Sequence, residues 1–185
     1  MPRPKRSPPV AAPPTFTPAE DVNAMFFKRS RHSPTPGDLF AVNMCGKRWV
    51  IGRVISNNAV GLTANANLLY FYRMEVEDPF DPTATKTPIA PDLLIPPEIT
   101  NNLGWTRGFY LHLRNVPLQP QELLPRHVFK SEVYAENDPR RFIDEYGNPT
   151  PPPEPGLFCG MSGLSSYTFI DDALSIALGI PPKKD

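Results

Sequence analysis

The sequence predicts a mainly β protein of the α+β class: a small, strongly bent sheet or barrel of five to six strands, with a short N-terminal helix and a packed C-terminal helix. Three observations lead to this expectation. Of the 185 residues, 26 are proline, and since proline disrupts helix interiors and central strands, these residues must separate short elements. Several apolar runs alternate with a period of two, which is typical of strands. A hydrophobic share of 40% supplies enough apolar side chains for a core.

The chain is predicted to divide into a disordered, proline-rich basic arm over residues 1–16 and a single β-rich domain over residues 17–185. Residues 1–33 carry a net charge of +4 and the remainder −4, so a basic arm precedes a mildly acidic body. The sequence Thr17-Pro18-Ala19-Glu20 has the residue types that cap the start of a helix. A short amphipathic helix to about residue 28 is predicted because apolar side chains follow at helical spacing, namely Ala19, Val22, Met25 and Phe26.

Six later stretches have the composition of strands: residues 39–42, 48–55, 68–76, 93–95, 108–114 and 127–134. Gly46, in the turn between the first two, is predicted to take a positive φ and to close a β-hairpin. Both faces of residues 48–55 are largely apolar, so this strand is expected at the centre of the sheet. Residues 149–155 are predicted to form a proline-rich surface spacer.

The strongest helical pattern of the sequence lies near its C-terminal end. Asp171 and Asp172 are expected to favour the positive start of this helix, and Gly179 to end it in a left-handed conformation. A packed amphipathic helix is predicted because one stripe is wholly apolar, formed by Ile170, Ala173, Leu174, Ala177 and Leu178.

The sequence contains little that could carry catalysis or hold a metal. Its two cysteines form no C-x-x-C pair, which argues against zinc and a disulfide scaffold and favours a reduced, cytoplasmic location. The histidines, His32, His112 and His127, are dispersed without a metal-ligand spacing. Ser162, in Gly-Met-Ser-Gly, lacks the spacing of a nucleophile elbow. We therefore predict no catalytic residues, metal or cofactor, and no membrane span.

Two surface features are candidates for binding a partner. Trp105 and Arg107 in Gly-Trp-Thr-Arg-Gly are either an exposed contact pair or a tryptophan that closes one end of the barrel with the arginine lying along it. A proline-broken loop is acidic, and it is either a solvated segment or a surface for a basic partner; its charges are Glu75, Glu77, Asp78 and Asp81.

A short motif near the start of the domain resembles the opening of the immunity protein 26 family. The motif reads G-D-x-F followed by G-R-V, and its residues are Gly37, Asp38, Phe40, Gly52 and Arg53. We expect Asp38 and Arg53 on adjacent antiparallel strands, as a structural pair or turn cap, with a ligand contact by Arg53 as the alternative. Residues 94–110 are also similar to family members related to the phosphotriesterase HocA.

The resemblance covers residues 36–135 and, less clearly, the C-terminal helix, and it implies a cytoplasmic protein that protects its producer by binding a cognate polymorphic toxin. On that basis the acidic segment is expected to face the toxin if the toxin is basic. A phosphotriester hydrolase of the HocA type is a second hypothesis. A third is a non-catalytic barrel that recruits protein or nucleic acid through its basic arm, although binding to nucleic acid is not favoured. The sequence does not specify an oligomeric state.

Overall fold

A five-stranded antiparallel sheet forms the centre of the molecule, in the order β4-β3-β2-β1-β5. The computed structural model describes residues 15–61, 65–73, 79 and 89–183. The strands of this sheet are β1 (Asp38–Met44), β2 (Arg48–Ala59), β3 (Ala66–Tyr72), β4 (Glu98–Thr100) and β5 (Leu111–Asn115).

The sheet is open, so the alternative of a closed barrel is wrong. Its two edges, β4 and β5, do not pair with each other. β4 has only three residues, and after it the chain turns through the short helix α1 (Leu103–Thr106). Trp105 of α1 packs edge-on against Phe40 of β1, with ring centroids 5.0 Å apart. The chain therefore reaches the opposite edge by crossing one face of the sheet rather than by closing a cylinder.

Four of the six predicted strands are confirmed, as β1, β2, β3 and, for residues 111–114 of the stretch at 108–114, β5. β1 and β2 pair as a hairpin, and Gly46 in their turn has φ +72°. Residues 93–95 form no strand; only Leu93 makes a single bridge to Tyr72. The strand expected over residues 127–134 shrinks to β6 (Phe129–Lys130). Beyond Lys130, the carbonyls of Ser131 and Tyr134 accept hydrogen bonds from the Arg141 side chain in place of a strand partner.

The C-terminal helix α2 (Tyr167–Ala177) is confirmed. It packs on the face of the sheet that carries Phe40 and Phe71, which we call the first face. Ser166 caps it, since the Ser166 hydroxyl accepts a hydrogen bond from Phe169 N at 3.1 Å. Ile170 and Leu174 are buried in the same cluster as Phe40 and Phe71. Gly179 has φ +69° and ends the helix as predicted.

The expected N-terminal helix is absent, and the role expected of Asp171 is wrong for a related reason. Asp171 lies in the second turn of α2, too far along to favour its N-terminus. Its carboxylate instead accepts hydrogen bonds from Asn23 N at 2.9 Å and Ala24 N at 2.7 Å. Residues 17–28 form no helix and instead fold back on themselves, with Thr17 bridged to Phe26. This bridge, the bonds to Asp171 and a bridge from Ala24 to Met44 replace the hydrogen bonds of a short and marginal helix.

Residues 116–166, which we call the loop-rich segment, cover the second face of the sheet. Their only regular ladder is a small sheet of β7 (Phe142–Ile143), β6 and β8 (Gly160–Met161), each strand two residues long. Phe129 of β6 is buried in one cluster with Leu68 and Tyr70 of β3. In the part of the chain that the structure describes, every helix is too short or too polar to cross a bilayer.

Candidate functional site

The two glycines and the phenylalanine of the G-D-x-F…G-R-V motif have structural roles in the sheet. Phe40 and Gly52 are directly paired on β1 and β2, and the Phe40 ring lies across Gly52. A Cβ added to Gly52 would come within 2.1 Å of that ring, so a larger residue there would displace Phe40 from the core. Gly37, at φ +93°, turns the chain into β1. These motif positions are therefore structural.

Arg53 and Asp38 lie on adjacent strands as expected, but each has other partners. Arg53 is fully buried, and its Nη1 donates to Glu122 Oε2 at 2.9 Å. Its Nη2 donates to the carbonyls of Val116 and Pro117 at 3.0 and 3.2 Å. Arg53 therefore fixes the start of the loop-rich segment to the centre of the sheet, and it is inaccessible to a ligand in this fold.

Asp38 lies at the start of β1 and accepts hydrogen bonds from three directions. His32 Nε2 is 2.7 Å from Oδ2, the Thr35 amide donates to Oδ2 at 2.9 Å, and Asn115 Nδ2 donates to Oδ1 at 2.7 Å. Burial raises the pKa of Asp38, but the hydrogen bonds from Asn115, Thr35 and His32 outweigh burial and hold it below the ordinary value. Asp38 is thus a carboxylate fixed in the ionised state.

His112 of β5 completes a compact group with His32 and Asp38. The two imidazole rings stack with centroids 4.1 Å apart. One donor atom from each of the three side chains lies within 4.8 Å of the others. His112 Nδ1 is buried and has no hydrogen-bond partner among the described residues. Burial lowers the pKa of His112, and the neighbouring His32 lowers it further.

Sequence reasoning missed this group, which we call the His-Asp-His cluster. It treated the histidines as dispersed and predicted no metal site. The two histidines are 80 residues apart in the sequence, and no spacing connects them. The signal that could have placed them together is the pairing of β1 with β5, which brings Asp38 opposite Asn115 and Phe40 opposite His112.

The structure separates the two candidate contact residues after β4. Trp105 is 1% exposed and stacks edge-on in the aromatic core, so the prediction that it contacts a partner is wrong and the buried alternative holds, although in an open sheet rather than a barrel. Arg107 is exposed. The backbone of residues 27–30 runs beside it, since Phe27 N donates to the Gly108 carbonyl at 2.9 Å and Ser30 N to the Trp105 carbonyl at 3.1 Å.

This pairing gathers a set of exposed cations, which we call the basic surface: Lys28, Arg29, Arg31 and Arg107. Within the ranges that the structure describes, none of the four forms an ion pair. The acidic candidates Glu75, Glu77, Asp78 and Asp81 lie outside the described residues.

A model of the immunity protein 26 family matches residues 35–139, which is more than half of the chain. This chain belongs to the immunity protein 26 family. The match begins just before Gly37, and it includes the whole five-stranded sheet, Arg107 and the partner of Arg53, Glu122. No curated protein and no solved structure matches the chain. The comparisons give no support to the similarity with the phosphotriesterase HocA.

The residues that match the family model contain only part of the His-Asp-His cluster and only part of the basic surface of this immunity protein. Asp38 and His112 lie inside the matched residues, whereas His32 lies just before them. Likewise, Arg107 is inside and residues 28–31 are outside. The segment that precedes the family scaffold thus completes both the His-Asp-His cluster and the basic surface.

Proposed function

We propose that this immunity protein acts in the cytoplasm of its producer and neutralises a cognate protein toxin by binding it directly. Membership of the immunity protein 26 family is the observation that carries the proposal. Phe40 and Arg53 of the motif are buried and stabilise the fold, so contact with a partner has to be made by other, exposed residues. This arrangement is consistent with a binding role. An inhibitor of this kind needs a stable scaffold and a charged, accessible surface.

The basic surface around Arg107 is the part of the described surface that we propose for toxin contact. Its four cations project from two neighbouring segments that are held together by backbone hydrogen bonds, and none of the four forms an ion pair with a described carboxylate. Arginine is enriched at protein interfaces, and unpaired charges speed association with a partner of opposite charge. The acidic segment with Glu75 and Asp81 stays a second proposed contact, for a basic region of the same toxin.

The experiment is co-expression of the chain with the toxin encoded beside its gene, followed by binding of the two purified proteins at low and high salt. We expect growth to be restored and a stable complex to form. The double variant Arg29→Glu/Arg107→Glu should slow association by at least tenfold and reduce its dependence on salt. The charge reversals Glu75→Lys and Asp81→Lys test the acidic segment in the same way.

Arg140→Glu is the matched control, because Arg140 is an exposed arginine in the loop-rich segment, 57% accessible at its side chain. It should associate at the rate of the unmodified chain. Protection of the cell without a complex would contradict direct binding. Unchanged association of the double variant would leave direct binding intact but remove the basic surface from the interface.

A further inference from the structure

We propose that His32, Asp38 and His112 form a binding site for one divalent transition-metal ion, with Zn²⁺ as the best match. This proposal is independent of toxin binding, and it rests on the donor types, on their proximity and on the way the surrounding residues hold them.

The donor set suits zinc chemistry. Zinc binds histidine nitrogen and carboxylate oxygen at about 2.0 to 2.2 Å, so ligand atoms around one ion lie about 3 to 3.5 Å apart. The three donors already lie within 4.8 Å of one another, and His32 Nε2 and Asp38 Oδ2 are 2.7 Å apart. Small side-chain rotations bring all three to coordinating distance. The ion would replace the hydrogen bond between His32 and Asp38, with His32 carrying its proton on Nδ1.

The surroundings hold the donors as outer-shell partners do in metal sites. Asn115 and the Thr35 amide both donate to Asp38, so the carboxylate is fixed before any ion binds. The Asp38 side chain is 3% exposed, which keeps competing water from most of it. His112 has a buried Nδ1 without a hydrogen-bond partner in the described chain. A buried nitrogen without a partner destabilises the fold, and coordination of an ion would provide the missing partner.

The site would join three segments that are distant in sequence. His32 precedes the sheet, Asp38 begins β1, and His112 lies in β5 at the edge of the sheet. An ion shared by the three would anchor the segment that also carries Lys28, Arg29 and Arg31. Three protein ligands leave a fourth tetrahedral position for water or for a donor from another molecule.

The test uses the full chain, purified without a histidine tag and stripped of metal with a chelator. Calorimetry with Zn²⁺ should give one ion per chain, and Co²⁺ should produce the visible absorption of a tetrahedral site. His32→Ala is the main variant, because its side chain is 25% exposed and its removal leaves the core intact. Asn115→Ala should weaken zinc binding by about 10- to 100-fold, as loss of an outer-shell partner does, and His32→Ala or His112→Ala by more.

Two controls decide whether binding is specific. His127→Gln alters the histidine outside the cluster, and Cys45→Ser/Cys159→Ser removes both thiols; each should bind Zn²⁺ like the unmodified chain. Zinc should raise the melting temperature of the unmodified chain and of both controls, but not of His32→Ala. The proposal is overturned if no stoichiometric binding occurs, if His32→Ala and His112→Ala bind normally, or if His127→Gln loses affinity as much as they do.

Discussion

The five-stranded sheet and the loop-rich segment are held together by different kinds of interaction. Every residue of β1 and of β3 is buried, and most of these side chains are apolar. The loop-rich segment has strands of only two residues, and its buried apolar side chains, Val128 and Phe129, are outnumbered by buried polar or charged ones, namely Glu122, His127, Ser131, Arg141 and Ser165. The sheet therefore depends on apolar burial, and the loop-rich segment on hydrogen bonds made by buried polar groups.

Arg141 and His127 show how such bonds replace a ladder. Arg141 donates to the carbonyls of Ser131 and Tyr134, which orders the turn between β6 and β7. His127 lies between Tyr70 of β3 and Glu145. Burial raises the pKa of Tyr70 to about 12, so its hydroxyl stays protonated, and it lies 2.5 Å from His127 Nε2, while Glu145 Oε1 lies 2.9 Å from His127 Nδ1. A polar chain thus fastens the loops to the sheet.

The largest loss of stability is expected for Leu174→Asp, which places a charge in the apolar contact between α2 and the sheet. Leu174 is 1% exposed and lies in the main core cluster. A buried carboxylate without a partner costs more than about 5 kcal/mol, enough to unfold the domain. Ile176→Asp, two residues along the same helix but 68% exposed, is the control and should melt normally. A normal melting temperature for Leu174→Asp would contradict this packing.

The next effect is expected where the two regions meet, at the buried pair of Arg53 and Glu122. Arg53→Met leaves the Glu122 carboxylate buried without a cation, which should lower the free energy of unfolding by about 3 to 5 kcal/mol. The double variant Arg53→Met/Glu122→Leu should regain much of this loss, because both charges are then absent. Urea unfolding of the three proteins measures the difference. An Arg53→Met chain that is fully stable yet fails to bind its partner would instead assign Arg53 to a binding surface.

A third effect is expected from Glu98 of β4, a buried carboxylate of the sheet. Burial raises its pKa to about 7, against a hydrogen bond from Ser165 that lowers it, whereas the unfolded value is 4.5. The folded state therefore favours the protonated form, so its contribution to stability is complete below pH 4.5 and is lost as the pH rises through 7.

Glu98→Gln removes this titration. At pH 8 the variant should be more stable than the unmodified chain by on the order of 3 kcal/mol, and near pH 4 the two should be equal. Urea unfolding at both pH values checks this, with the exposed Glu136→Gln as the control that changes neither. Equal stability of Glu98→Gln and the unmodified chain at both pH values would contradict the raised pKa.

A smaller effect is expected for Arg141→Ala in the loop-rich segment. The substitution leaves the carbonyls of Ser131 and Tyr134 without their donor, and we expect a loss of about 1 to 3 kcal/mol. The neighbouring Arg140→Ala removes an exposed pair with Asp138 and should change stability by about 0.5 kcal/mol or less. Equal effects of the two substitutions would mean that buried polar bonds do not hold this region.

The same contrast explains which parts of the fold could be predicted from the sequence. The hairpin of β1 and β2 and the helix α2 follow from apolar periodicity, because the pattern that defines each element is also the pattern that is buried. The stretch at 127–134 also looks like a strand, but the carbonyls of Ser131 and Tyr134 accept hydrogen bonds from the Arg141 side chain instead of extending a ladder. Bonds from a side chain to distant backbone leave no periodic signal.

The N-terminal segment and the His-Asp-His cluster show the same limit. Thr17 to Glu20 has the residue types of a helix cap, but the carboxylate that binds the following backbone at Asn23 is that of Asp171, 148 residues further along the chain. His32 and His112 meet only because β5 pairs with β1 after the chain has crossed the sheet through α1. Patterns within a short stretch of sequence cannot predict such contacts, since these contacts depend on the topology of the whole chain.

The smallest effect is expected at the N-terminus, where the boundary of the predicted arm can be sharpened. Phe16 packs edge-on against Phe27 and Trp49, with ring centroids 5.8 and 6.1 Å away, so the last arm residue contacts the body. A chain that starts at Thr15 should melt like the full chain, because residues 1–14 contain six prolines and few large apolar side chains. A chain that starts at Thr17 loses two aromatic contacts and should lose about 1 kcal/mol. Phe16→Ala in the full chain is the matched control and should reproduce that loss. If the chain starting at Thr15 melts many degrees lower, residues 1–14 dock on the body, and the composition argument for a dispensable arm is wrong.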